Sequence, residues 1–310
     1  MKHFKININS NLKIKNLNIA IGNFDGVHIG HKKIIKKLVS DSKKLNLKSA
    51  ILSFYPHPRQ YFTNNFNDFN IIEESKKIQL LKDLQINYYF SLRFDSKLSS
   101  FDAEEFVNKI LSKKLNVKKL TVGYDFKFGK NRQGNTELLK QLSKKYNFKI
   151  NIIKQIIFPN SSKAYSSSLV RKSIKQGNFK KVSKILGRKW TITGKVIKGH
   201  QRASKINFPT ANIDPGTIIT PKKGVYAINV ILNKKYYEGI ANFGERPTVK
   251  GNKLLLEAHI FDFNQNIYGK KLTVEFLTFI RNEKKFKNFE LLTKQIRKDI
   301  RIVQEYHSIK

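Results

Sequence analysis

The sequence predicts a mixed α/β protein in two parts, a parallel sheet with helices on its faces and then a small antiparallel β-barrel closed by a terminal helix. Three observations predict it. From residue 18 to about 160, short β-branched or aromatic runs alternate with helical patterns across short connections, as repeated strand–helix units do. From residue 190 to about 279 short strands recur between Gly, Pro and Asn turns, as in a small barrel or sandwich. The two regimes meet at LGRKW, so the boundary is expected near Gly187, giving parts 1–186 and 187–310 of ordinary domain size.

In order, NIAI opens the first strand and the Lys-rich periodicity after it predicts a helix over 29–45. KSAILSF, NYYFSL, KKLTVG and FKINIIKQ follow as strands, separated by helices expected at 73–84, 102–114 and 135–146. Residues 168–186, SLVRKSIKQGNFKKVSKIL, read as two short helices split at Gly177. The second part runs through TITGKVIKG, PTANI, GVYAINVIL, YYEGIANFG, LLLEAHIF and LTVEFLTFI as strands, and an amphipathic helix over 289–306 ends it.

Composition narrows the function. With no cysteine there is no disulfide, thiolate metal site or cysteine nucleophile. No run of about 18 apolar residues occurs, and the opening MKHFKININSNLKIKN lacks the apolar core of a signal sequence, so no membrane partner and a cytoplasmic location are expected. The net charge of +39 is the kind of footprint nucleic-acid binders carry. Here the lysines are spread along the whole chain, and Lys, Asn, Ile and Phe are inflated together, as AT-rich coding produces in any protein. Solvated surface is the better account and no nucleic-acid partner is expected, although polyanionic small substrates would benefit from the field.

Ligands of parallel α/β sheets bind at the carboxyl ends of the strands. At the end of the first strand stands IGNFDGVHIGH, in which Gly22, Asn23, Phe24, Asp25 and Gly26 lead into His28, Gly30 and His31. A helix N-terminus offers free N–H groups and a positive dipole end to anions, and glycines let backbone approach them. His28 and His31, three apart, share one face of the first turn, where two imidazoles can donate to a phosphate and stabilise charge developing on a transferring nucleotidyl group. Later strand ends carry SFYPHPRQYF, VGYDFKFGKNRQGN and SSSLVR. Gly123 and Asp125 lie in the second of these, Ser166, Ser167 and Arg171 in the third. Asp125 reads equally as a contact to a sugar hydroxyl or metal and as a turn-forming aspartate; Arg171 reads as a phosphate ligand or as a helix-surface cation.

In the second part, Thr210 and Asn212 alternate with Ala211 on a strand, so both face one side and could offer oxygens to Mg2+. Glu257 stands in the apolar LLLEAHI run, either as an outward-facing side chain or as a general base for a hydroxyl attacking ATP.

Taken together the G-x-F-D-G-x-H-x-G-H string resembles the phosphate-binding motif of the HxGH nucleotidylyltransferases. The whole chain resembles the bacterial bifunctional riboflavin kinase/FAD synthetase family, through GNFDGVHIGH, SFYPHP, VGYDFKFG and SSSLVR in the first part. FPTANI, GVYA, ANFGERPTV, EAHIFDF, YGKKLTVEFL and RNEKKF carry it in the second. The resemblance implies a Rossmann-like nucleotidyltransferase domain ahead of a kinase barrel, with riboflavin, FMN and ATP as small-molecule substrates, FAD as final product, and Mg2+ as cofactor. Self-association is compatible with it. It implies that His28 and His31 serve adenylyl transfer, that Gly22 to Gly26, Gly30, Gly123, Asp125, Ser166, Ser167 and Arg171 bind substrate, that Gly199, Asn207 and Pro209 line the kinase loop, that Thr210 and Asn212 ligate Mg2+, and that Glu257 is the kinase base. In the loop GHQRASKINFPTAN, Ala203 and Asn207 replace glycines of the family pattern and Ser204 an arginine. Pantetheine-phosphate and nicotinamide-mononucleotide adenylyltransferases share the histidine motif, but the PTAN module has no role in their reactions. A basic nucleic-acid-binding protein on the same scaffold rests on the charge alone.

Overall fold

The computed structural model describes residues 1–64, 66–197, 208–248 and 251–308, with the side chains of 246–248 and 251–253 left aside. The chain forms two compact units, the first comprising Met1–Phe69 and Glu73–Ser167, the second Asn70–Ile72 and Ser168–Lys310.

In the first unit the strands are β1 (Lys2–Ile6), β2 (Leu17–Ile21), β3 (Lys48–Tyr55), β4 (Tyr88–Arg93), β5 (Val117–Gly123) and β6 (Lys149–Ile153). They pair in parallel in the order β1-β4-β3-β2-β5-β6. All carboxyl ends therefore lie on one edge. Successive strands add to one side from β2 to β4 and to the other from β5 to β6, so the order reverses between β2 and β5, where ligands bind in such sheets. β2, LNIAI, is buried at every position, as a central strand covered on both faces must be.

The helices are α1 (Ile29–Lys44), α2 (Pro58–Thr63), α3 (Glu74–Asp83), α4 (Ser96–Ser100), α5 (Ala103–Glu105) and α6 (Thr136–Lys145). α5 runs on as the wider-turned Phe106–Lys114, whose Phe106, Val107, Ile110 and Leu111 enter the core. Asn46, Asn116 and Asn147 follow three of these helical segments at φ of 51°, 44° and 53°. The left-handed turn that glycine usually makes at a helix end is made here by asparagine, the next most tolerant residue.

β1 and α2 are additions to what the periodicity shows. β1 is an edge strand in which only Ile6 is buried, and its lysines blunt the edge. α2 spans six residues, too short for periodicity, and is nucleated by a His57/Gln60 capping box with Pro58 in the first turn.

The second unit begins with α7 (Ser167–Lys175, its first residue belonging to the first unit) and α8 (Phe179–Leu186), divided at Gly177 with φ 72°. A closed antiparallel barrel follows, resolving barrel against sandwich: β7 (Trp190–Ile197), β8 (Ala211–Ile213), β9 (Gly224–Leu232), β10 (Lys235–Thr248), β11 (Gly251–Ile260) and β12 (Lys271–Arg281), in the order β10-β11-β8-β7-β12-β9. α9 (Phe289–Ser308) completes the chain.

Tyr226, Ile228, Phe243, Leu256, Ile213 and Phe276 fill the interior, all at full burial. α8 inserts Phe179 against Trp190, Tyr226 and Phe276, with ring centroids 5.0–5.5 Å apart. Each such ring contributes on the order of 1.5–3 kcal/mol by burial. Trp190 Nε1 donates to Ile71 O at 2.7 Å, which fixes the Asn70–Ile72 strip in this unit. Val225, Ala227 and Ile240 alternate onto the outer face and pack with Leu277 of β12 and Val303 of α9.

Candidate active sites

The first site grows from the end of β2. Beyond Ile21 the backbone stays tied to β3: Gly22 N donates to Leu52 O at 3.1 Å, Ser53 Oγ donates to Gly22 O at 2.8 Å, and Phe54 N donates to Asn23 Oδ1 at 3.1 Å. The chain then turns sharply through Phe24, Gly26 and Val27 at φ of 48°, 79° and 40°. Glycine takes this region freely, whereas phenylalanine and valine are strained in it. The burial of both side chains, at 5% and 0% exposure, holds them there.

The turn delivers His28 as the N-cap of α1. His28 Nδ1 accepts the backbone N–H of His31 at 3.2 Å, so the proton of the neutral ring sits on Nε2. The His31 ring stacks on His28 at 3.5 Å between centroids, and Phe24 meets His31 edge-on at 5.1 Å. A Cβ at Gly30 would stand 3.0 Å from Tyr165 Cβ and 3.1 Å from His28 Cε1 and Nδ1, so the bare glycine is what lets ring and helix close together. The first turn of α1 holds no acidic residue. Its positive end carries two stacked imidazoles, His28 and His31.

The neighbouring strand ends flank this turn. After β3 comes the YPHP segment opening α2, and β5 ends at Gly123 with Asp125 two residues beyond it. Asp125 is exposed, with Oδ1 3.0 Å from where a Cβ of Gly123 would stand. Ser167 Oγ donates to Asp25 O at 2.9 Å, which ties the SSSLVR segment to the histidine turn. Ser166 is half-buried next to it, and Arg171 lies one turn further along α7, in the second unit. The structure thus groups Gly22 to Gly26, His28, Gly30, His31 and Ser167, and sets Gly123 and Asp125 at the adjacent strand end.

The second site is a row across three strands of the barrel. Glu257 on β11 pairs with Asn212 on β8 and with Asn242 on β10, so all three project from one face. Asn212 is 7% exposed and Glu257 half-buried. Thr210 precedes Asn212 by two residues, and His259, two beyond Glu257, donates from Nδ1 to Pro209 O at 2.8 Å and meets Phe208 edge-on. That tie holds the PTAN segment against β11. Gly199 and Asn207, with Ala203 and Ser204, lie outside the described residues.

Among the described residues no group of three or more His, Cys, Asp or Glu could cage a metal. Thr210 and Asn212 are hard oxygen donors of the kind Mg2+ takes when substrate phosphates and water complete its shell, so the residues present fit that ion. Sequence reasoning did not single out His259, Asn242 or Glu283, because their roles depend on strand register, nor Tyr165, whose contact with Gly30 spans distant segments.

Residues 11–168 match the family model described as FAD synthetase and residues 186–307 that described as riboflavin kinase. A bifunctional riboflavin kinase/FMN adenylyltransferase of Buchnera aphidicola subsp. Schizaphis graminum is 38% identical over 305 residues, covering 96% of this chain and 97% of the relative. One from Haemophilus influenzae is 37% identical over 299 residues and covers 96% of each chain. The Escherichia coli K12 protein of the same description is 34% identical, covering 94% of this chain and 93% of its own. A crystal structure described as a macrolide-efflux protein from Streptococcus pneumoniae matches with a TM-score of 0.86 at 27% identity, over 97% of this chain and 98% of that one. Among the described residues no helix is long and apolar enough to cross a membrane.

Proposed function

The chain belongs to the bifunctional riboflavin kinase/FMN adenylyltransferase family, and from that premise we propose how its residues divide the two reactions. As a member it phosphorylates riboflavin to FMN and adenylylates FMN to FAD; the efflux description is that of the pneumococcal protein. We assign adenylyl transfer to 1–186 and phosphoryl transfer to 187–310, a division supported by the start of the kinase match at residue 186.

In the adenylyltransferase, a phosphate oxygen of FMN attacks the α-phosphorus of ATP and pyrophosphate leaves. The work is positioning and charge stabilisation. His28, its Nε2–H set by the cap, donates to the oxygens on which charge develops, and His31 supports it from the stacked position. Gly22, Asn23, Phe24, Asp25, Gly26 and Gly30 shape the phosphate turn, Gly123 and Asp125 hold substrate from β5, and Ser166, Ser167 and Arg171 take phosphates. The observation that carries this assignment is the cap itself, two stacked imidazoles at a helix N-terminus beside the strand-order reversal.

In the kinase, a ribityl hydroxyl of riboflavin attacks the γ-phosphorus of ATP, Glu257 takes the hydroxyl proton, and ADP leaves. Thr210 and Asn212 would hold Mg2+, which supplies charge neutralisation on the phosphates when bound. Pro209, with Gly199 and Asn207, belongs to the nucleotide loop. The pairing of Asn212 with Glu257 supports the assignment, since it sets a base beside a metal-binding amide. We further propose a cytoplasmic enzyme whose lysine-rich surface serves solubility and attraction of nucleotides, not polynucleotide binding.

A chromatographic assay resolving riboflavin, FMN and FAD tests the division. His28→Ala is expected to lower FAD formation from FMN by about a hundredfold or more while FMN formation continues. Glu257→Gln is expected to lower kinase kcat by about a hundredfold or more with riboflavin KM little changed, as loss of a general base does. Loss of both activities from either change would contradict the assignment.

A further inference from the structure

The row Asn212–Glu257–Asn242 has a fourth member that strand order alone does not bring there. After β12 the chain continues past the end of β9 and onto β10. Two glycines make room: a Cβ at Gly224 (φ 150°) would fall on the carbonyl of Arg281, and one at Gly244 would fall on the carboxylate of Glu283. Arg281, where the crossing starts, is held by Asp299 of α9 through Nε at 2.9 Å to both carboxylate oxygens and Nη2 at 2.7 Å to Oδ2. So placed, Glu283 Oε1 accepts from Asn242 Nδ2 at 3.1 Å.

We propose that Asn242 is a substrate-positioning residue of the riboflavin kinase and that Glu283 sets its orientation. This rests on the kinase assignment of Glu257. A carboxylate only accepts hydrogen bonds, so Glu283 dictates which way the Asn242 amide faces: its NH2 toward Glu283, its Oδ1 away, on the face where Glu257 is the neighbouring residue. That oxygen is an acceptor for a hydroxyl of the ribityl chain, next to the base that takes the proton of the reacting hydroxyl. Arg281 and Asp299 act further back, fixing the segment that carries Glu283.

Exchanging the polar groups tests this. Glu283→Gln offers its own NH2 and lets the Asn242 amide turn over, which should raise riboflavin KM about fivefold to tenfold, one hydrogen bond's worth, leaving ATP KM within about twofold. Asn242→Asp alone sets two carboxylates face to face and should raise riboflavin KM by more than about tenfold. Asn242→Asp combined with Glu283→Gln restores a donor–acceptor pair with an oxygen still facing the substrate, so riboflavin KM should return to within about threefold of the parent. The emission of Trp190, the chain's one tryptophan and buried in the barrel unit, and the FMN adenylyltransferase rate report the folding of each variant. Independent effects in the double variant, equal changes in riboflavin and ATP KM, no change in KM, or a double variant with an unfolded barrel would each overturn the proposal. Glu257→Gln assayed alongside separates the two ideas: full turnover there would remove the base assignment whatever the exchange shows.

Discussion

A single methyl group at residue 30 would meet the His28 ring at 3.1 Å and Tyr165 at 3.0 Å. The helix backbone there permits alanine, so the cost falls on the two contacts it would crowd, the His28 ring and Tyr165 Cβ. Gly30→Ala should therefore lower FMN adenylylation by about tenfold or more, as a misplaced catalytic group does, with riboflavin phosphorylation within about twofold in the same preparation. Unchanged adenylylation would show that the His28 ring position is not critical. The two histidines were legible in the sequence because spacing three apart at a strand-to-helix junction needs no tertiary knowledge. Tyr165 was not, since it reaches the turn from more than a hundred residues away. Asn242 and Glu283 stood in quoted motif strings, but only the register β10 to β11 and the crossing after β12 bring them to Glu257.

At the level of elements, strands and helices with strong periodicity were readable, while β1, α2 and the widened turns after α5 were not. An edge strand with one buried residue, a helix of six residues and a local change of helical pitch all lack a repeating apolar signal. β1 carries a pH dependence. His3 stacks on Tyr89 at 4.8 Å and bonds Ser91 Oγ at 3.1 Å, while Tyr89 OH donates to Glu74 Oε1 at 2.6 Å and Lys77 pairs with Glu74 Oε2 at 2.7 Å. Burial depresses the His3 pKa below 6.5, the nearby Lys5 and Lys77 acting in the same direction and Glu74 against them. The unfolded chain then binds a proton more readily than the folded one, so stability from this group is present above pH 6.5 and is lost as pH falls below it. Thermal melts should show Tm falling from pH 7 to pH 5, with His3→Gln flattening that slope; an unaltered slope would exclude His3 as a source.

α9 is tied to the barrel by Arg281 and Asp299, whose side chains are 17% and 3% exposed. Gln295 adds a third donor to Asp299 at 2.8 Å. Truncating one partner leaves a charge uncompensated, so Asp299→Ala should lower the stability of the barrel unit by about 3–5 kcal/mol in denaturant titrations followed through Trp190. A loss below about 1 kcal/mol would mean that Val303 and the apolar face hold the helix without the ion pair.

For the molecule as a whole, the change from helical periodicity to short strands near residue 187 made the two-part organisation visible, and the two motif sets made the activities visible. The barrel was legible through the family resemblance and not through alternation, which fits a sandwich equally; the β9–β10 and β8–β11 pairings are among those that complete the ring. Nor did sequence show that α7 and α8 count with the barrel unit, whose core receives Phe179. Charge gave the least direction of the global properties, because the lysines behind the +39 are spread along the whole chain.

If two sites with separate residues act in sequence on the flavin, a protein lacking one activity should complement a protein lacking the other. Mixing the His28→Ala and Glu257→Gln proteins with riboflavin, ATP and Mg2+ tests it most directly. Each variant alone should fail to make appreciable FAD from riboflavin, the first stopping at FMN and the second leaving riboflavin unconverted. The mixture should form FAD, since FMN made by the first protein is consumed by the second. No FAD from the mixture, with FMN accumulating in it, or FAD from either variant alone, would contradict the account.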